Sequence, residues 1–212
     1  MAFRRTPAPP RDAADVVRDV LRRRSLYRNG GIAGAIVVAL AAVCSHSVTP
    51  PDTAPLAGKE VEVIRVVDGD TLVVRTAEGR EERLRLKGID APELAHEGQP
   101  LMYWGQESTD YLAKRLGRGK KLVLEFDGTE TRDRYDRLLA YAFGEGMECI
   151  NVSIARDGQA YADRRFPGSR RGQIEQAENE ARKKARGLWK DGRVADQPDW
   201  RRRWLADRRN QE

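Results

Sequence analysis

The stretch EVEVIRVVDGDTLVVRTAEGREERLRLKGI, residues 60–89, constrains the fold of this chain more than any other. EVEVIRVV alternates polar and apolar residues before running into valines, as a half-buried strand does. TLVVRT and EERLRLKGI follow, with the turn pair Glu78 and Gly79 between them, so one hairpin leads into a second. Three consecutive antiparallel strands result. KLVLEF at 121–126 and RLLAYAF at 137–143 read as two more.

Between the third and fourth strands, Tyr111, Leu112 and Leu116 fall on one face of a helix over 106–116. After the fifth, NVSIARDG predicts a short helix with Asn151 as its cap and Gly158 as its stop. Ile174, Ala177, Ala181, Ala185 and Leu188 then form a stripe along a longer helix, with Glu178 and Arg182 one turn apart as a supporting pair. Trp104 and Trp189 read as core or helix-packing residues. The fold class expected is a β-barrel with helices (α+β). It is a five-stranded, OB-fold-like barrel, its strands running as a meander with a helix inserted, and its C-terminal helices packed on the side. Period counting leaves a sandwich open.

Composition matters through its distribution. The net charge is +6, but residues 1–29 carry eight Arg against three Asp, and residues 182–212 carry eleven Lys or Arg against five acids. The remainder is therefore +6 − 5 − 6 = −5, so basicity of the ends does not by itself make the folded part a nucleic-acid binder. Residues 1–29 form a basic N-terminal region, and 30–48 an uncharged apolar segment. With Arg22, Arg23, Arg24 and Arg28 ahead of it, that segment has the pattern of a membrane anchor or signal peptide. Its long basic flank favours an uncleaved single-pass anchor in the cell membrane with the following domain exported; secretion after cleavage is the alternative. TPPDTAPLAG marks a linker at 49–58, a domain follows at 59–190, and 191–212 is a basic tail. Cys44 lies in the apolar segment and Cys149 in the domain, which leaves the domain without an internal disulfide. In the tail, DWRRRWLADRR reads as a surface helix, a frayed end or a basic, aromatic grip on an anionic partner.

Two acidic clusters stand out. Asp68, Gly69 and Asp70 join two valine runs, and GIDAPE ends the third strand with Asp90, Ala91 and Glu93. With the first three strands adjacent, Asp70, Asp90 and Glu93 can reach one end of the sheet. Clustered carboxylates repel one another unless a cation or protons compensate, and oxygen donors favour Ca2+ or Mg2+ over zinc. Arg85, on the third strand, and Arg137, after TRDRYDR, offer forked donors suited to phosphate. Each acidic motif taken alone also reads as a plain turn or a strand stop. His96 reads as a solvated loop residue.

Together VVDGDTLVV, RLRLKGIDAPE, TRDRYDR and NVSIARDGQAYA make the chain resemble the staphylococcal nuclease (thermonuclease) family over about residues 60–189. The resemblance implies a Ca2+ held by the carboxylates of Asp70 and Asp90 and the carbonyl of Ala91. It implies that Glu93 serves the attacking water, that Arg85 and Arg137 bind the phosphate, that Tyr135 lies along the nucleotide and that Asp68 supports the metal. The activity so implied is Ca2+-dependent hydrolysis of DNA, with RNA left open, by a monomer, leaving 3′-phosphate products. Two positions depart from the family: Ala91 replaces a frequent Thr, and Asp136 a frequent Gly that precedes Arg137. Phe166, in DRRFPGSRRG, reads equally as a base-stacking or a packing residue. The rival is a catalytically weak, nucleic-acid-binding OB-fold module. An aspartyl-nucleophile phosphatase is disfavoured because the strands do not alternate with long helices.

Overall fold

The computed structural model describes residues 53, 56–95, 98, 100–128, 130–191 and 196–209 of the chain. The apolar segment 30–48, its basic flank, Cys44 and His96 lie outside the described residues. No helix among the described residues is long and apolar enough to cross a membrane.

Alternation produces the expected strands: β1 (Glu60–Val66), β2 (Thr71–Arg75), β3 (Glu81–Leu86), β5 (Lys121–Glu125) and β6 (Leu138–Phe143). They close into a barrel in the order β1-β2-β3-β6-β5. Val63, Leu72, Val74, Leu84, Leu86, Leu124 and Leu138 are fully buried in its core. The barrel is not the meander read from the sequence. Helix α1 (Gly105–Arg115) interrupts the run, and β5 pairs with β1 rather than with β3. The gap beside β3 is filled by β6, which runs parallel to it, with Arg85 opposite Leu139. Pairing along a parallel edge requires a long crossover, and the insertion containing α1 is part of that crossover.

A second, two-stranded sheet joins β4 (Ile89–Asp90) to β7 (Tyr161–Ala162), with Asp90 opposite Tyr161. Helices α2 (Ile150–Arg156) and α3 (Arg171–Lys183) pack on one another beside the barrel. Helix α4 (Asp199–Arg209) ends the described chain. Residues 191–212, read from the sequence as a basic tail, thus include a helix whose Arg201 is buried.

Three local readings change. Asn151 does not cap α2; Cys149 stands at the cap, and Asn151 is fully buried within the first turn. Its amide accepts from the N–H of Ala142 at 2.9 Å and donates to the carbonyls of Lys87 and Ala140 at 2.9 and 3.3 Å, tying α2 to β6 and to the chain just before β4. The long helix stops at Lys183; Ala185 takes a positive φ of 47°, and Leu188 is buried from a separate 3-10 turn, Gly187–Trp189. Glu178 does not pair with Arg182. It is buried, accepts from the Ala162 N–H at 2.9 Å and from Arg164 at 2.9 Å, and forms an ion pair with Arg201 at 2.8 Å. A buried carboxylate needs such a set of donors, which an exposed neighbour one turn away does not provide.

Replacing Asn151 by Ala strands the Ala142 N–H and two carbonyls in the core. The variant is expected to lose about 2 kcal/mol of stability by urea unfolding; a loss within error of zero would show that water replaces the amide.

Candidate active site

The acidic turn between β1 and β2 is shaped by its own side chains. Asp68 Oδ1 accepts the N–H of Asp70 at 3.0 Å, a local turn bond available to Asp. The Thr71 hydroxyl donates to Asp70 Oδ1 at 3.1 Å, and the Ala91 N–H donates to Asp70 Oδ2 at 2.6 Å. Because the Leu86 N–H bonds the Asp70 carbonyl at 2.9 Å, the turn is fixed against the end of β3, where GIDAPE begins.

Gly69 owes its place to closeness rather than to an unusual φ. A Cβ there would lie 2.1 Å from Ser108 Oγ and 2.7 Å from Ala91 Cβ. Ser108 of α1 is itself buried and donates to the Gln159 carbonyl at 2.6 Å. The acidic turn is thus wedged between α1 and the Ala91 strand end.

Asp70 and Asp90 converge on one guanidinium. Arg85 Nη1 pairs with Asp70 Oδ1, and Arg85 Nη2 donates to Asp90 Oδ1 at 2.8 Å. The Arg85 side chain is only 12% exposed, so solvent does little to weaken these pairs. Asp90 has further partners that the sequence reading missed. Arg165 Nη2 donates to Oδ1 at 3.0 Å, and the indole N–H of Trp200, on α4, donates to Oδ2 at 2.8 Å. Position 200 carries no periodic signal toward position 90, so only the folded chain reveals this bond.

Arg137 stands one residue ahead of β6, on the face that Leu139 and its register partner Arg85 share. Asp133 builds its loop. The carboxylate accepts the N–H groups of Tyr135 and Arg137 at 2.9 and 3.0 Å, and Arg137 Nε at 2.7 Å. Burial works to raise the pKa of Asp133, but the Arg137 backbone and guanidinium and the Tyr135 N–H outweigh it and hold the carboxyl below its ordinary value. Tyr135 is 61% exposed, with the guanidiniums of Arg134 and Arg137 4.8 and 5.4 Å from its ring centre. Asp136 turns away from Arg137: it takes a positive φ of 62°, and its carboxylate lies 3.6 Å from Arg132. Such a left-handed backbone favours glycine, and Asp is among the residues that tolerate it.

Glu93 is exposed on the loop after β4. Its carbonyl accepts the Met102 N–H at 3.1 Å, and Gly105, at the start of α1, packs so closely that a Cβ there would meet that carbonyl oxygen at 2.4 Å. The structure therefore brings together Asp70, Asp90, Ala91 and Arg85, with Asp68 behind them. Among the described residues no three His, Cys, Asp or Glu side chains gather as a ready metal cluster. Phe166 is exposed, with Arg165 5.7 Å from its ring centre.

A closed five-stranded barrel bearing two carboxylates paired with one arginine defines an OB-type domain with a charged candidate site. A sequence model described as "Staphylococcal nuclease homologue" matches residues 83–191. The chain is 37% identical over 129 residues to the thermonuclease of Staphylococcus hyicus, covering 60% of this chain and 74% of that protein. To the thermonuclease of Staphylococcus intermedius it is 38% identical over 133 residues, 62% and 77% of the two chains. To an uncharacterized endonuclease of Escherichia coli O157:H7 it is 33% identical over 141 residues, 66% and 84%. The chain belongs to the staphylococcal nuclease family.

Gly69→Ala forces a methyl against Ser108 and Ala91. It is expected to cost about 1–3 kcal/mol in thermal or urea unfolding, as overpacking does; unchanged stability would show that the wedge yields freely.

Proposed function

We propose that the protein is a Ca2+-dependent nuclease that hydrolyses phosphodiester bonds of DNA, with RNA as the second substrate to test. The observation that carries the reading is the convergence of Asp70 and Asp90 on the single guanidinium of Arg85, in a chain of this family. The relatives named thermonuclease and endonuclease point the same way.

The donors suit the ion. Those that meet at the barrel end are carboxylate oxygens already turned toward one positive group, and oxygen-only sets favour hard cations. Asp70, Asp90 and the Ala91 carbonyl would hold Ca2+, which supplies Lewis acidity and a template for the phosphate when bound. Arg85, released from neutralising the two aspartates, directs its donors to a phosphate oxygen. Arg137, set in advance by Asp133, takes another as charge builds. Glu93 accepts the proton of the attacking water; the water oxygen bonds to phosphorus, the bond to the 5′ oxygen breaks, and that oxygen takes a proton from solvent, leaving a 3′-phosphate and a 5′-hydroxyl. Tyr135 lies along the nucleotide, its ring exposed and flanked by two guanidiniums. Asp68 supports the site by holding the Asp70 backbone. One chain carries every group invoked, so a monomer suffices for the reaction.

Cleavage of denatured DNA is expected to need Ca2+, to stop with a chelator and to fall by roughly 10²–10⁴-fold in Glu93→Gln. Undiminished cleavage with the chelator or in the variant would sink the mechanism, and binding without cleavage in the unaltered protein would favour the nucleic-acid-binding module.

The same proposal places this domain outside the cell membrane on an uncleaved anchor at 30–48. The support is the arginine-rich flank ahead of an uncharged run. Intact mass of the mature protein should equal the full chain; a product beginning near residue 42 would mean secretion instead.

A further inference from the structure

Helix α4 lies beyond residue 191, where the family match ends, yet it reaches the centre of the site. We propose that Trp200 is a positioning residue for Asp90: its indole N–H fixes one carboxylate oxygen so that the other is presented to the cation. The inference rests on the Ca2+ reading above.

Two features of the bond support this role. Trp200 Nε1 lies 2.8 Å from Asp90 Oδ2, while Oδ1, the oxygen left for the cation, faces the exchangeable guanidiniums of Arg85 at 2.8 Å and Arg165 at 3.0 Å. An indole N–H only donates and carries no charge. It therefore locks the rotation of the carboxylate without contributing a positive charge that would oppose a metal. The groups that orient metal ligands in this way act through such bonds.

The indole is held in turn. The Arg165 guanidinium lies 4.6 Å from the Trp200 ring centre and is fixed by Asp163, with Nε donating to Oδ1 and Nη2 to Oδ2, both at 2.9 Å. Asp163 thereby balances the charge that Arg165 brings beside Asp90. One residue after Trp200, Arg201 is 1% exposed and pairs at 2.8 Å with Glu178, whose side chain is fully buried. Arg201 also lies 5.0 Å from the ring centre of Tyr161, the register partner of Asp90, and 5.3 Å from that of Trp189. Arg164 lies 4.4 Å from the ring centre of Trp204, one helical turn on. Lifting α4 away would strand the buried Glu178 carboxylate without the Arg201 charge, and breaking such a buried pair is strongly destabilising. The dock of α4 is therefore built into the domain, and it delivers one neutral donor to one ligand.

The test is calorimetric titration of Ca2+ alone into the full chain, without nucleic acid, for the unaltered protein, Trp200→Phe and Trp204→Phe. Phe keeps a ring on Arg165 and removes the N–H; Trp204 lies on the same helix and has no contact with Asp90 among its ring interactions. Trp200→Phe is expected to weaken Ca2+ binding by roughly tenfold or more, and Trp204→Phe to leave it unchanged. Equal or tighter binding by Trp200→Phe overturns the proposal, as does an equal loss in Trp204→Phe, which would make the effect one of helix docking. No saturable binding by the unaltered protein means that the Ca2+ reading itself has failed, and the proposal falls with it. If Trp200→Phe does not fold, 3-benzothienylalanine at position 200, which exchanges only the N–H for sulfur, puts the same question.

Discussion

Two ionised carboxylates in a sheltered corner repel one another unless a positive charge lies between them, and Arg85 is that charge in the folded chain. It is opposite Thr71 in the β2–β3 register, one residue from Asp70, and five residues before Asp90, which lies on β4 beyond the turn that ends β3. The barrel closure, the acidic turn and the short β4 strand meet at this guanidinium. Its pairing with both leaves the carboxylates facing one centre of positive charge before any ligand arrives.

The parts of this arrangement that were legible in the sequence are local ones. Period-two alternation marks VVDGDTLVV and RLRLKGIDAPE as strand, turn and strand end, and a turn between paired strands brings its neighbours together without further information. The helix over 106–116 follows from a similar short-range pattern, whereas closure of the barrel depends on the distant pairings of β1 with β5 and of β3 with β6. What was not legible depends on partners distant in sequence. Asn151 resembles a cap because caps are made of such residues, but its side chain serves Ala142, Lys87 and Ala140. Glu178 resembles half of a helical surface pair, but its partner Arg201 comes from another helix. The apparent turn glycine, Gly69, is a matter of clearance from Ser108 of α1, which no local φ preference encodes.

The distribution of arginine illustrates the same limit. Counting residues makes 182–212 a strongly basic end, yet Arg201 is consumed by a buried carboxylate and Arg182 lies over the Trp189 ring. Charge counted along a chain is not charge offered to a partner. In contrast, the loop at 131–137 spends its acid locally: Asp133 fixes the backbone and side chain of Arg137, leaving Tyr135 outward. A guanidinium held this way loses little freedom on meeting an anion.

The two-residue sheet of β4 and β7 carries a consequence for the order in which the molecule matures. Asp90 acquires its strand partner only from Tyr161, across 71 intervening steps of the chain, and its indole donor only from residue 200. A ribosome adds residues in sequence, so Arg85, Asp70 and Asp90 emerge well before the elements that pin the last of them. The carboxylates and their arginine therefore precede the elements that pin them, an order in which assembly of this corner reports that the domain has formed.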